Sequence, residues 1–442
     1  MSTHTGIDTV HDILRYAMRT HGTKNAVGWR DIIKTIEEEK EIKRVIGGKE
    51  TTEKKIWKFF QLSDYRYLTY IELGDRVKSL AAGLIKYNVP STEVFNIYAS
   101  TCLNWQLMQH ACMSIATTIA TAYDTLGEAG LSHSLSEPNC YGLFTHSELL
   151  PTVLRVLPNT PSIKLIVYDG EASAELLGKL QEVKEDLTII HIDQLEKEGA
   201  EVLPQTEFSD RQAKPEDTAC LMYTSGTTGP PKGVVLTHSN LVASVGAVWK
   251  LLGHYVKPDD TFLAFLPLAH ILEYIVELTF VFGGITLGFG KIKTLTDTSV
   301  RNSYGDIRAF RPSIMVGVPA VWETIRKGIV GKVSQMSSLK QSVFNGALSL
   351  KKINIPGVTS LVDSVVLSAI KAGTGGRLRL ALSGGAALSK ETQEFLSLSL
   401  VTVLQGMENV LFRGWPLLTS TLCPFRLRND RVLRVSLNLQ YF

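Results

Sequence analysis

Cysteine is scarce in this chain of 442 residues. The five present, Cys102, Cys112, Cys140, Cys220 and Cys423, show no Cys-x-x-Cys spacing. That excludes a disulfide framework and a cysteine-based zinc site, and it fits a reducing compartment. Charge of one sign is also missing: 46 Lys plus Arg against 43 Asp plus Glu leaves a net charge of +3. So even a balance argues against nucleic acid as the main partner. No apolar run reaches the ~18 residues of a membrane-spanning helix. The nearest, residues 271–290, carries Glu273 and Glu277 and breaks at Gly283-Gly284, so it reads as a buried helix followed by a buried strand. The opening residues lack a basic segment ahead of an apolar core, so no signal peptide is expected. Nor is there a terminal Ser-Lys-Leu, and the cytoplasm is the default expectation. There is no internal repeat or low-complexity tract.

What is present is ordinary globular composition, 44% hydrophobic and 20% charged, enough to bury a sizeable core. From about residue 70 onward, helical and strand patterns alternate. Val77, Leu80, Ala81, Leu84 and Ile85 fall on one face of a helix over residues 69–87. Short apolar runs then recur at 94–100, 141–146, 163–169, 187–192, 218–224, 261–267, 312–319 and 378–384. This alternation predicts an α/β fold with mostly parallel sheets flanked by helices. Two segments stand apart. Residues 34–58 are densely charged with both signs and break at Gly47-Gly48; they read as a solvated helix and turn, the alternative being a lipid-headgroup or partner contact through the lysines. Residues 194–217, acidic and polar with Pro204 and Pro215, read as a surface connection.

The most informative stretch is YTSGTTGPPKGVVLTHSN, residues 223–240. A buried strand runs into a loop of glycines and small hydroxyl residues. Gly226, Gly229 and Gly233 let backbone N–H groups turn toward one centre. Thr224, Ser225, Thr227 and Thr228 add hydroxyl donors, and Lys232 adds a cation. Such a nest suits a polyphosphate. It is not the P-loop of kinases and GTPases, because Lys232 is followed by Gly233 where that motif needs Ser or Thr. Nor does a GxGxxG open a helix here.

This loop resembles the phosphate loop of the adenylate-forming (AMP-binding) enzymes. The blocks at 96–135, FLPLAHILEYIVEL (265–278) and GVPAVWETI (317–325) narrow the resemblance to the long-chain fatty acyl-CoA synthetases, fungal ones in particular. The similarity runs from near residue 10 to Gly406. It implies the large N-terminal domain of such an enzyme over residues 1–406. The implied reaction joins a long-chain fatty acid to coenzyme A with ATP and Mg²⁺, through an acyl-adenylate. Carried over residue by residue, Thr224, Ser225, Gly226, Thr227, Thr228, Gly229 and Lys232 would hold the β- and γ-phosphates of ATP. SGGAALS (383–389), with Gly384, Gly385 and Ala386, would line the adenine and acyl-carbonyl region. His270 would lie beside the substrate carboxylate; read alone, a histidine after a strand is as well explained as a hydrogen-bonded structural residue. Trp322 would gate the fatty-acid tunnel, where the plain reading is a core tryptophan. Glu273 and Glu277, at i and i+4, could form a paired-carboxylate site, but exposed or capped positions are the preferred reading. The family's membrane-derived substrates suggest peripheral contact with endoplasmic reticulum or lipid droplets.

After Gln405-Gly406 the resemblance stops. Where the family has Tyr-Gly-x-Thr-Glu, this chain has Met407 and Glu408 in an unmatched context, then an arginine-containing tail over residues 407–442. A shifted reading frame or retained intron is the expected origin, a C-terminal variant the alternative. The family's ribose-binding Asp and small C-terminal domain are not matched, so impaired ligase activity is expected. The competing readings are a non-catalytic nucleotide- or acyl-binding fragment, an adenylate-forming enzyme of another substrate class, and a membrane scaffold using residues 34–58.

Overall fold

The computed structural model describes residues 6–46, 49–224, 231–353, 362–363 and 365–405. The tail from 407 onward therefore lies outside the described residues.

Among the described residues, sixteen strands in chain order build three sheets. They are β1 (Asn25–Trp29), β2 (Ile32–Ile46), β3 (Lys49–Leu62), β4 (Arg66–Thr69), β5 (Val94–Tyr98), β6 (Thr118–Ala122), β7 (Gly142–His146) and β8 (Leu165–Asp169). Then follow β9 (Thr188–His191), β10 (Thr218–Thr224), β11 (Lys232–Thr237), β12 (Thr261–Ala264), β13 (Thr286–Phe289), β14 (Ile314–Gly317), β15 (Leu380–Ser383) and β16 (Val403–Gln405). The first sheet runs β16-β15-β14-β12-β13-β1-β4 and the second β11-β10-β6-β5-β7-β8-β9. Among the described residues of these two sheets, only the edge strands β4 and β11 pair antiparallel to their neighbours. Each apolar run singled out above forms a strand, and helices cover both faces, as the continuous burial of β6, β13, β14 and β15 requires.

The helix over Tyr70–Lys86 forms where the 3.6-residue pattern placed it. A capping box holds its start: the Thr69 side chain accepts from the Glu72 N–H and the Glu72 carboxylate returns to the Thr69 N–H. Val77, Leu80, Ala81 and Leu84 are buried, while Ile85 is only partly so.

Three readings need correction. The described residues of 34–58 are not helical. They belong to a long antiparallel hairpin of β2 and β3, with Glu37 opposite Lys58 and Ile46 opposite Lys49. Glutamate and lysine suggested a helix, but Thr35, Ile36, Ile42, Val45, Thr51, Ile56, Trp57, Phe59 and Phe60 supply the β-branched and aromatic content of strands. Opposite charges then pair across the hairpin, Lys54 with Glu39 at 2.7 Å and Lys58 with Glu37 at 3.6 Å. The hairpin is tied to the body where Arg301 Nε donates to Glu38 at 2.6 Å and its guanidinium covers the buried Phe59 ring.

Residues 194–217 are not wholly a surface connection. A helix over Ile192–Val202 seats Leu195 and Gly199 against the Tyr70–Lys86 helix, and Arg76 grips Glu196 with two nitrogens. The connection begins only at Leu203.

Glu273 and Glu277 are neither exposed nor capping. Both lie on a helix over Ile271–Phe282 that is buried along its length; they are 1% and 2% exposed. Among the described residues, no helix is long and apolar enough to cross a membrane.

Candidate functional site

In sheets of this kind, loops at the carboxyl ends of parallel strands carry the ligand chemistry. In the second sheet β10 ends at Thr224, which pairs with Lys232 at the start of antiparallel β11. This pairing closes the loop that the phosphate motif occupies. Ser225, Gly226, Thr227, Thr228 and Gly229 lie outside the described residues. The side chain of Lys232 is exposed.

Two residues brace the feet of that loop, and no sequence pattern marked them. The Tyr223 hydroxyl donates to Glu137 Oε2 at 2.6 Å, and His133 Nε2 donates to the Pro231 carbonyl at 2.8 Å. His133 and Glu137 are one turn apart at the end of the helix over Glu128–Ser136. Burial, then the Glu137 carboxylate, pushes the Tyr223 phenol well above its ordinary range, so it remains a donor.

The segment carrying His270 is stapled to the same edge. Thr101, just past β5, donates to the Leu266 carbonyl at 2.6 Å and accepts from the Leu268 N–H at 2.8 Å. Thr121 on β6 donates to the Ala269 carbonyl at 3.3 Å, and Thr121 is the register partner of Met222 on β10. His270 itself caps the Ile271–Phe282 helix: its Nδ1 accepts from the Leu272 N–H at 3.2 Å. Burial holds its pKa below the ordinary histidine value, leaving a neutral imidazole at pH 7. This capping contact gives His270 a structural role at the start of the helix.

The other predicted residues gather on the first sheet. Gly384 follows β15, and its N–H donates to the Gly317 carbonyl at the end of β14 at 3.1 Å. Trp322 is fully buried one turn into the helix over Pro319–Ser334, and its indole Nε1 donates to the same carbonyl at 3.2 Å. Gly385 adopts φ +84°, which favours glycine, and a Cβ there would lie 3.3 Å from Val318. Ala386 is exposed. Beside this turn the Ser383 hydroxyl is buried and makes no hydrogen bond within the described residues. A buried orphan hydroxyl next to a glycine turn fits a site built to meet a polar ligand.

The structure thus joins Trp322 to Gly384 and places His270 near β10. Thr224 and Lys232 stand on the second sheet, the Trp322 group on the first. Among the described residues no group of three or more His, Cys, Asp or Glu is arranged to hold a metal ion. They do not fit a protein-held Mg²⁺, and no step is assigned to one.

Comparison with known proteins bears on the family and the fold. The AMP-binding enzyme family matches residues 48–407. Long-chain-fatty-acid–CoA ligase 1 of Schizosaccharomyces pombe is 42% identical over 405 residues, covering 90% of this chain and 59% of that protein. Long-chain-fatty-acid–CoA ligase 4 of Saccharomyces cerevisiae is 38% identical, with 90% and 59% covered. The chain therefore spans about three fifths of the length of these relatives. Among solved structures, an adenylation-peptidyl-carrier didomain of a Segniliparus rugosus carboxylic acid reductase in complex with AMP aligns with TM-score 0.68 at 18% identity. It covers 91% of this chain and 53% of that one. The adenylation domain of a Mycobacterium chelonae carboxylate reductase gives 0.64 at 19%, covering 91% and 58%. These likenesses support the fold, and the family match supports more: the chain belongs to the AMP-binding enzymes.

Proposed function

We propose that this chain carries the acyl-activating part of a long-chain fatty acid–CoA ligase. Its substrates would be a long-chain fatty acid and ATP, with CoA as the final acceptor. The observation that carries this reading is the convergence of the braced β10–β11 loop and the His270 segment on one sheet edge, in a chain 42% identical to a fatty-acid ligase.

In this reading Thr224, Ser225, Gly226, Thr227, Thr228, Gly229 and Lys232 take the ATP phosphates. Donors preorganised around a phosphoryl centre supply the main rate term as charge develops there. Gly384, Gly385 and Ala386, with the orphan Ser383 hydroxyl, take the nucleoside side. Mg²⁺ would enter on the phosphate oxygens of ATP itself. The buried helix over Ile271–Phe282 and the Trp322 segment form walls of an acyl channel, with Trp322 as its gate. Each methylene buried in such a channel contributes about 0.8 kcal/mol. Peripheral contact with a membrane that supplies the fatty acid belongs to this proposal.

Incubation of the purified chain with labelled palmitate, ATP and Mg²⁺, with and without CoA, tests it. Acyl-AMP without CoA and acyl-CoA with it are the expected products. Folded protein that gives neither product overturns ligase chemistry. Retained ATP or palmitate affinity in that case identifies a binding fragment.

A further inference from the structure

A second constellation lies outside the residues assigned above. The second sheet has the order β10-β6-β5-β7-β8-β9 in its parallel part, and the connections change direction at β5 and β7. Ser100 and Cys102 follow β5, His146 ends β7 and Asp169 ends β8. His146 Nε2 lies 3.1 Å from Ser100 Oγ and 3.9 Å from Cys102 Sγ. Its Nδ1 lies 3.5 Å from Asp169 Oδ2, and the Asn104 side chain also bonds that carboxylate. Cys102 is the N-cap of the helix over Leu103–Ser114, and its sulfur accepts the Trp105 N–H at 3.3 Å. Cys102, Asn104, His146 and Asp169 line a cleft of about 520 Å³ together with Lys291, which follows β13, and Asp306, which precedes β14.

We infer that Cys102 is a nucleophilic thiol activated by His146 and Asp169, and that the cleft admits small polar disulfides to form a mixed disulfide at Cys102. The arrangement has the parts that activate a cysteine: an imidazole near the sulfur, a carboxylate orienting its other nitrogen, and a helix N-terminus facing the sulfur. Burial alone would lower the His146 pKa. The neighbouring Cys102 sulfur and the hydrogen bond to Asp169 outweigh burial and push it up to about 10. His146 is then a proton-bearing imidazolium at neutral pH. In the exchange, the Cys102 thiolate attacks one sulfur of the disulfide and forms the new S–S bond. The old S–S bond breaks, and the departing thiolate takes the His146 Nε2 proton and leaves as a thiol. The polar lining suits a small charged disulfide. Cys112, Cys140 and Cys220 are fully buried, so none of them is placed to resolve the adduct.

The charged groups facing this pair are Asp169 and His191 at the ends of β8 and β9, Glu277 on the Ile271–Phe282 helix, and Arg76, Glu148 and Asp193 on the cleft walls. Lys291, Arg30 and Asp306 close the far side.

The site does not depend on the ligase reading, and its test needs no ligase activity. Iodoacetamide labelling of the full chain, followed peptide by peptide in a mass spectrometer, gives the rate at Cys102. The expected rate at pH 6 is within threefold of that at pH 8.5; an ordinary thiol loses more than about a hundredfold over that range. His146→Gln should slow labelling at pH 6 more than tenfold. Oxidised glutathione should add one glutathione at Cys102, and Cys102→Ser should abolish that addition. An ordinary-thiol profile in the wild-type protein overturns the proposal whether or not the His146 variant folds. So does an unchanged rate in folded His146→Gln, or no glutathione adduct. Labelling of Ser100 by a serine-directed fluorophosphonate in place of Cys102 overturns it too.

Discussion

Trp322 and Gly384 share one acceptor, the Gly317 carbonyl, at 3.2 and 3.1 Å. This locks the tryptophan to the turn after β15. Trp322→Ala should cost about 3–5 kcal/mol, because it empties a fully buried volume. Trp322→Phe keeps most of that volume and should lose about 1 kcal/mol with the indole bond. Urea unfolding of both variants checks the difference. A small loss in the alanine variant would show that the surrounding helix collapses into the space.

Two helical glycines make opposite predictions. A Cβ on Gly199 would come 1.8 Å from the Ser79 carbonyl oxygen and 2.6 Å from the Gly83 nitrogen. Gly199→Ala must therefore separate two packed helices, at a cost above about 2 kcal/mol. Gly178, within the helix over Ala174–Val183, has open space around its Cβ position. Gly178→Ala should stabilise by about 0.5–1 kcal/mol through helix propensity. Thermal melts of the two variants should move in opposite directions.

The buried carboxyls of Glu273 and Glu277 set a pH trend. Burial raises both above the ordinary carboxyl value, and the charge of Glu273 raises Glu277 further. The folded chain then holds protons that the unfolded chain has lost, so this pair's contribution weakens as pH rises above about 4.3. Glu277→Gln keeps an acceptor for the Gln106 amide, 3.3 Å from Glu277 Oε2, and removes the titration. It should gain about 1–2 kcal/mol over wild type at pH 8 and nothing at pH 4. An equal effect at both values would refute the assignment.

Asp260 acts in the opposite sense. It is 2% exposed. Burial works against its charge, but hydrogen bonds from Arg379 and from Ser313 Oγ at 2.6 Å prevail and lower its pKa. Its stabilisation is present above the ordinary Asp value and is lost as pH falls through the lower folded value. Asp260→Asn should cost about 3 kcal/mol at pH 7 and converge on wild type in acid, read by chemical denaturation across pH.

Lys232 gives the sharpest functional test. Its side chain is exposed, so Lys232→Ala should leave the melting temperature nearly unchanged. In the proposed reaction it should cut acyl-adenylate formation at least tenfold, as loss of a charged phosphate contact does. Equal rates in the two proteins would remove this lysine from the phosphate site.

Most parallel strands, though not β1, β6 and β16, were legible as short apolar runs, as in LIVYD of β8 and IMVG of β14. The hairpin was not, because its side chains alternate charge with β-branched residues while lysine and glutamate dominate the composition. Glu273 and Glu277 were misjudged for a related reason: a carboxyl's burial depends on what packs over its helix, which one sequence does not display. At the site, local motifs identified Trp322, Gly384 and His270. The braces His133, Glu137, Thr101 and Thr121 act through contacts 86 to 167 residues away in sequence, and spacing carries no trace of them.

The order of strands also dictates an order of assembly on the ribosome. The second sheet is drawn entirely from Val94 to Thr237 and can close once that stretch has emerged. The first sheet cannot. Its strands β1 and β4 pair with each other and are complete by Thr69, but the second partner of β1, β13, begins at Thr286. At about 5–20 residues per second the two early strands wait roughly 10–45 s for that partner. For that interval β1 presents the edge that β13 will cover. Slowing translation between β4 and β13 would lengthen the exposure, making nascent-chain aggregation, not final stability, the yield-limiting property of this fold.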